Sequence, residues 1–475
     1  MMLVVFGRLL KKYDMTQITR ELTFSQSLIL ICKILMLLQC LTLNTVAQAT
    51  DQACLVVEIS SGPVERAAMP LCVEVPAALQ KAKELSLREV TGSGDAAIGK
   101  SIPCQIEAGS PLKVWWMLEH LPAGESRRYR LSAVNSDNSK AGNGTTAPAP
   151  DMTAAVDGQA LAISVEGLPV LKYQQAVMPS ADPAKPFYAR SGFIHPIFDP
   201  AGRAVTEAMP ADHMHQHALM FAWVNAEFEG RKVDFWNSHK EQGLVRNVRL
   251  EDIQVGPVFI SFKARLEHVD ETPEDGPRVA LQELWEVKVF HRTDGFLFDW
   301  QSTLTCATES PLKLLKHDYG GLCLRGRDEW NKADGGEFLT SEGKTRANGN
   351  HTRPHWCDLS GPILQAKPVP EVKPMPEATP ATGTTQDPAI SLAPWGGIAV
   401  LDHPSNFRFP QPVRLHPSMP YLSVTPAPLG PFEIEPGKPY ITRFRFFTHT
   451  GKPEASLIDQ LWEDYAQPVA SRVIE

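Results

Sequence analysis

The sequence predicts a mainly β protein in which a large antiparallel β-sandwich follows a small one. Apolar–polar alternation over residues 258–267, 280–290, 296–304 and 440–447 is the first observation. A period of two marks strands with one buried and one polar face. The second is a series of short apolar runs (55–59, 71–75, 112–117 and 128–131) set between Gly, Pro and Ser turns. The third is that a chain with 40 prolines shows one clear helical pattern, 453–467, where Leu457, Ile458, Leu461, Trp462 and Tyr465 fall on one face. With 43% hydrophobic and 21% charged residues, the chain can bury a full core.

In chain order, residues 1–49 read as an export signal: an apolar run of about ten residues follows Lys33 and ends before the small-x-small pattern Ala47-Gln48-Ala49. The protein is therefore expected in the periplasm or outside the cell after cleavage near Ala49. A lipoprotein reading at Cys40 fits poorly with Gln39 before it. Residues 50–135 hold the small sandwich, and 136–157, rich in Asn, Ser, Gly, Ala and Pro, read as a flexible linker. The large sandwich spans 158–475, with a Pro-, Glu- and Thr-rich insertion at 366–389. The net charge of −8 and the absence of a basic stripe argue against nucleic acid as a partner. No later run resembles a membrane span. Six cysteines remain beyond residue 49, and the sequence alone does not pair them.

Of 14 histidines, three alternate in Asp212-His213-Met214-His215-Gln216-His217. On an extended strand they would share a face at about 6.5–7 Å spacing, able to transfer protons or hold a ligand. His213 and His217 would then stand too far apart for one three-histidine metal site, unless the segment turns. Asp234-Phe235-Trp236 offers an aromatic platform beside polar groups. Gly320-Gly321 lets the chain turn closely before Arg325, whose charge needs a carboxylate partner or an anionic ligand. Trp356 lies in a His- and Arg-containing loop, and the run from Asp402 and His403 through Asn406 and Arg408 follows a strand as a rim loop. His213, His215 and His403 are the catalytic candidates. Asp234, Trp236, Arg325, Trp356, Asp402, Asn406 and Arg408 are the substrate-binding ones. No nucleophile elbow, P-loop or dinucleotide fingerprint appears in a fitting context, so no organic cofactor is expected. A divalent metal stays open, with His213, His215, His239 and His317 as candidates.

Taken in order, Asp-His-x-His (from Asp212), Asp-Phe-Trp (from Asp234), Gly321-x-x-x-Arg325, Trp356 near Asp358-x-Ser360-Gly361, and Asp402-His403-Pro404-x-Asn406 resemble the bacterial family labelled "methane oxygenase PmoA" over about residues 190–450. Met214, Gln216 and His217 depart from that family's Asp-His-Pro-His-His-Arg form. The label names a subunit built from transmembrane helices, which this chain lacks after residue 49. The β-rich pattern is similar to the galactose-mutarotase-like supersandwich of carbohydrate epimerases, lyases and hydrolases. The resemblance thus implies an exported carbohydrate-active enzyme using a His-rich cleft on a small-molecule or glycan substrate. The alternatives are a non-catalytic carbohydrate-binding or surface module, and a metal-dependent enzyme.

Overall fold

Two eight-stranded antiparallel sheets hold most of the strand residues in a computed structural model that describes residues 54–91, 98–109, 111–134, 150–331, 335–363 and 395–474. The first runs, edge to edge, Val413–Leu415, Tyr421–Val424, Gly321–Arg325, Leu219–Ala222, Phe193–Ile197, Leu168–Gln174, Ala160–Val165 and Met152–Val156. The second runs Gly243–Val255, Phe259–Asp270, Arg278–Phe290, Phe296–Cys306, Tyr440–Thr450, Trp395–Asp402, Trp356–Pro362 and Glu337–Thr340. The four alternating segments read from the sequence all fall on strands of this second sheet. Their inward residues, such as Phe262, Trp285, Phe298 and Phe444, join Phe221, Leu322 and Leu324 of the first sheet in one core. Phe221 and Trp300 meet across it with ring centroids 5.5 Å apart.

That contact fixes which way the first sheet faces. Phe221 pairs with Leu322, and Leu322 with Val424, so these three point toward the second sheet. Alternation along the strands then turns Met220, Cys323, Arg325 and Tyr421 to the opposite side. Gly320 and Gly321 begin the Gly321–Arg325 strand at φ +132° and +66°, and a Cβ on Gly321 would lie 2.8 Å from Val424 O, so the expected close turn is built as glycine allows.

A five-stranded sheet (Ala470–Ile474, Cys54–Ser60, Ser126–Ala133, Leu85–Val90, Ile98–Ile102) and a three-stranded one (Arg66–Glu74, Lys113–Leu121, Cys104–Glu107) make up the smaller β part. Two expected boundaries are corrected. The linker does not reach residue 157, because Met152–Val156 pairs with Ala160–Val165, Met152 opposite Val165. The large sandwich does not hold the chain to its end: Val56 pairs with Ile474, so Ala470–Ile474 returns to the smaller sheet. The helix, α1, spans Ala455–Ala466. It buries Ile458 and Leu461 against Phe259, Phe290, Trp356 and Phe447, on the outer face of the second sheet. Its Asp464 accepts a 2.8 Å salt bridge from Arg66, both side chains being almost fully buried.

The signal at 1–49 and the insertion at 366–389 lie outside the described residues. Among the described residues no helix is long and apolar enough to cross a membrane. The cysteines at 54, 72, 104, 306, 323 and 357 are free thiols.

Candidate functional site

The segment 210–218 is a closed turn, not the extended row that alternate histidines imply. Gln216 N–H donates to His213 O at 2.9 Å, His213 N–H to Pro210 O at 3.0 Å, and Met209 N–H to Gln216 O at 2.8 Å. Met209 and Ala218, at φ +53° and +48°, close the two ends in the left-handed region. Such backbone is held only where the surroundings over-determine it. Arg325 supplies much of that hold. Its buried guanidinium donates from Nη2 to Asp212 Oδ1 (3.0 Å) and to Asp328 Oδ1 (3.0 Å), and from Nη1 to Gln216 Oε1 (3.2 Å). The carboxylate partner that its sequence position demands is thus Asp212, the first residue of the histidine motif.

The turn sends its histidines to two sides. His213 and His215 stay together, ring centroids 5.5 Å apart. His217 turns inward and is buried, its nitrogens 3.1 Å from His215 O and 3.0 Å from Tyr188 O. A neutral imidazole donates to only one of these carbonyls. Burial, reinforced by the nearby Arg190 charge, pushes its pKa down to about 3.

Two further imidazoles complete a group of four. His239, in the short 3-10 turn Ser238–Lys240, stands 5.7 Å from His215, and His416, just after the Val413–Leu415 strand, 6.3 Å from His213. All four line a pocket of about 430 Å³ together with Trp236, Tyr319, Tyr421, Lys240 and Arg414. It covers the side of the first sheet that faces away from the second. Trp236, almost wholly buried, packs edge to face on Tyr319 at 5.5 Å, so Tyr319 is the part of this aromatic pair left open to the pocket. Asp234 serves the pocket from beneath. It accepts from Trp236 N–H (3.0 Å), Asn237 N–H (2.8 Å), Asn237 Nδ2 (2.8 Å) and Lys240 Nζ (2.7 Å). Burial works to raise its pKa, but these donors outweigh it and hold the carboxyl below its usual range.

The electrostatics keep two of the imidazoles neutral. His215 is pushed down to about 4, first by burial and then by His213 and His239. His416 also falls to about 4, from burial and then the Arg414 charge. His416 Nδ1 accepts from the Ser418 N–H at 3.2 Å and the Met419 N–H at 3.1 Å. Since Nδ1 is an acceptor, the neutral ring carries its proton on Nε2. His213 Nδ1 is buried and has no hydrogen-bond partner among the described residues.

Several sequence candidates lie elsewhere. His403 is not in this pocket: it packs on Tyr465 at 4.8 Å, pairs with Ser405 Oγ at 2.8 Å, and feels Arg443, Asp299 and Arg445 on the outer face of the second sheet. Asp402 and Asn406 hold loop backbone. Asn406 Nδ2 donates to Asp402 Oδ1 (2.7 Å) and to Arg443 O (2.7 Å), while the Gln411 N–H donates to Asp402 Oδ2 (2.8 Å). Arg408 donates to the carbonyls of Pro426, Gly430 and Pro431. Trp356 is buried under α1, its Nε1 donating to Asp459 at 2.7 Å. Of the four metal candidates, His213, His215 and His239 are neighbours, whereas His317 sits apart against Tyr319 at 4.5 Å and does not line the pocket. Among the described residues no group of three His, Cys, Asp or Glu side chains is arranged to hold a metal ion. His416, Arg414, Tyr319 and Tyr421 were not among the sequence candidates. Long-range strand pairing, Tyr421 opposite Arg325, carries the region containing His416 to the histidine turn. No local pattern announces that.

The chain is thus a β-sandwich protein with an imidazole-lined pocket on one sheet. Residues 160–463 match the family of unknown function DUF6807, and the chain belongs to that family. Among solved structures, a GalM/aldose epimerase homologue from C. elegans aligns at 12% identity with a TM-score of 0.26, over 64% of this chain and 100% of that one. None of the curated proteins compared with the chain matches it.

Proposed function

We propose that the protein is a sugar-directed acid–base enzyme of epimerase or lyase type, acting outside the cytoplasm. His213 and His215 form its proton-transfer pair, and Tyr319, backed by Trp236, seats the sugar ring. The observation that carries this reading is the group of four imidazoles beside an aromatic side chain, in a pocket whose lining has no carboxylate among the described residues. Glycoside hydrolysis normally uses two carboxylates, so the hydrolase branch of the expectation loses its chemistry here. Proton abstraction and return by imidazoles keeps it. His213 is the base in this scheme, and His416 Nε2–H is a donor toward a substrate oxygen. Arg325 is a positioning residue, since it holds Asp212 and Gln216 beneath the turn. The Asp212-to-Asn406 motif order likewise supports placing the chain with the proteins labelled PmoA, whose first Asp-His pair would be the functional one.

Incubating the full chain with hexoses and uronates in D2O tests the reading, with deuterium wash-in or an eliminated product followed by NMR. Turnover that vanishes in His213→Ala and His215→Ala, while sugar binding stays within about threefold of wild type, about 0.7 kcal/mol, is the expected result. Binding without turnover of any sugar would instead favour a non-catalytic carbohydrate-binding module.

A further inference from the structure

We propose that the pocket selects a sugar bearing a carboxylate, a uronate-type ligand, and that Arg414 and the Nε2–H of His416 receive that carboxylate. The inference rests on the sugar-directed reading above and adds the charge of its substrate. Among the described residues the lining holds two cations, Lys240 and Arg414, and no Asp or Glu. The carboxylates that brace the pocket are engaged already: Asp234 takes Lys240 at 2.7 Å, and Asp212 and Asp328 share Arg325 at 3.0 Å. Arg414, half-buried on the Val413–Leu415 strand, makes no side-chain hydrogen bond or ion pair among the described residues.

A half-buried guanidinium with no anion beside it is free to take one from a ligand, and its planar fork matches a carboxylate. His416 adds a donor of fixed direction. With Nδ1 occupied by two backbone N–H groups, its remaining proton is committed to Nε2. Such a ring gives one hydrogen bond to an oxygen and, its basicity being pushed down by burial and by Arg414, stays uncharged at neutral pH. Tyr319, backed by Trp236, is left for the ring of the sugar.

Ligand-observed NMR titration of the full chain with glucuronate, galacturonate, glucose, galactose and glucose 6-phosphate decides the matter. Each uronate is expected to bind at least about tenfold tighter than its neutral hexose, as a charge-assisted pair requires. That ratio should fall to within about twofold in Arg414→Gln and be partly kept in Arg414→Lys, with both variants checked for an unchanged urea midpoint. The 15N shifts of His416 should show an unprotonated Nδ1 before ligand is added. Equal binding of hexose and uronate, or a preference that survives Arg414→Gln, overturns the inference while leaving the sugar-directed reading intact. Tighter binding of the phosphate ester than of either uronate overturns the carboxylate assignment. Failure of every sugar to bind overturns both readings.

Discussion

Arg325 shows how one residue converts a sequence pattern into a site. Its charge on an otherwise apolar strand demands an anion, and the structure answers with Asp212 and Asp328. Arg325→Met should lower stability by about 1–3 kcal/mol, read from urea denaturation. The cost stays below that of a fully buried pair because both carboxylates are nearly half exposed and can rehydrate. Arg325→Lys should recover little, since one ammonium cannot serve two carboxylates and the Gln216 amide together. The histidine turn should loosen in both variants, visible as a changed imidazole spectrum for His213 and His215. The charge demand of Arg325 was legible in the sequence. The inward course of His217 was not, because a period of two describes a strand and says nothing of a turn closed from a distant residue.

At the scale of elements, alternation located four of the five long strands of the second sheet, missing Gly243–Val255, and helical spacing located α1, since in both cases local periodicity records which face is buried. Rim loops carry no such record. Asp402 and Asn406 look alike in sequence whether they bind a ligand or brace a turn, and here they brace it. His403 followed them to the wrong face for the same reason. The helix makes a sharper prediction, because it joins the two β parts through Asp464 and Arg66. Asp464→Ala should cost about 3–5 kcal/mol, since it leaves a guanidinium with 4% side-chain exposure without its charge partner. Asp464→Ala combined with Arg66→Met should be less destabilised than Asp464→Ala alone, and a double-mutant cycle by chemical denaturation reads the difference.

For the whole molecule, several buried histidines set the response to acid. The pKa of His215, His217, His403 and His416 is lowered in the fold, to about 4, 3, 4 and 4, each with burial as the first cause. Above an ordinary histidine pKa of about 6.5 all are neutral in both states, so they add nothing to pH dependence there. As pH falls below it, the unfolded chain takes up protons that the folded chain refuses, and stability drops until the folded pKa is reached. The almost fully buried His217 alone would cost on the order of 2 kcal/mol at pH 5. His215, His403 and His416 keep some contact with solvent and should each cost less. Asp402 acts in the other direction. Burial raises it to about 7, so between about 3.8 and 7 the folded state holds a proton that the unfolded state has lost, and its contribution grows as pH falls. His449, Asp464 and Glu271, likewise raised in the fold, act with Asp402, and His291 and His317, likewise lowered, act with the other histidines. The six lowered imidazoles stay dominant, and the urea midpoint should fall between pH 7 and pH 5. His217→Gln, which keeps a donor for one of the two carbonyls but cannot titrate, should flatten that fall. A midpoint that holds steady or rises toward pH 5 in the wild type would mean that the imidazoles take up protons in the folded state, and that the pocket histidines are not held neutral.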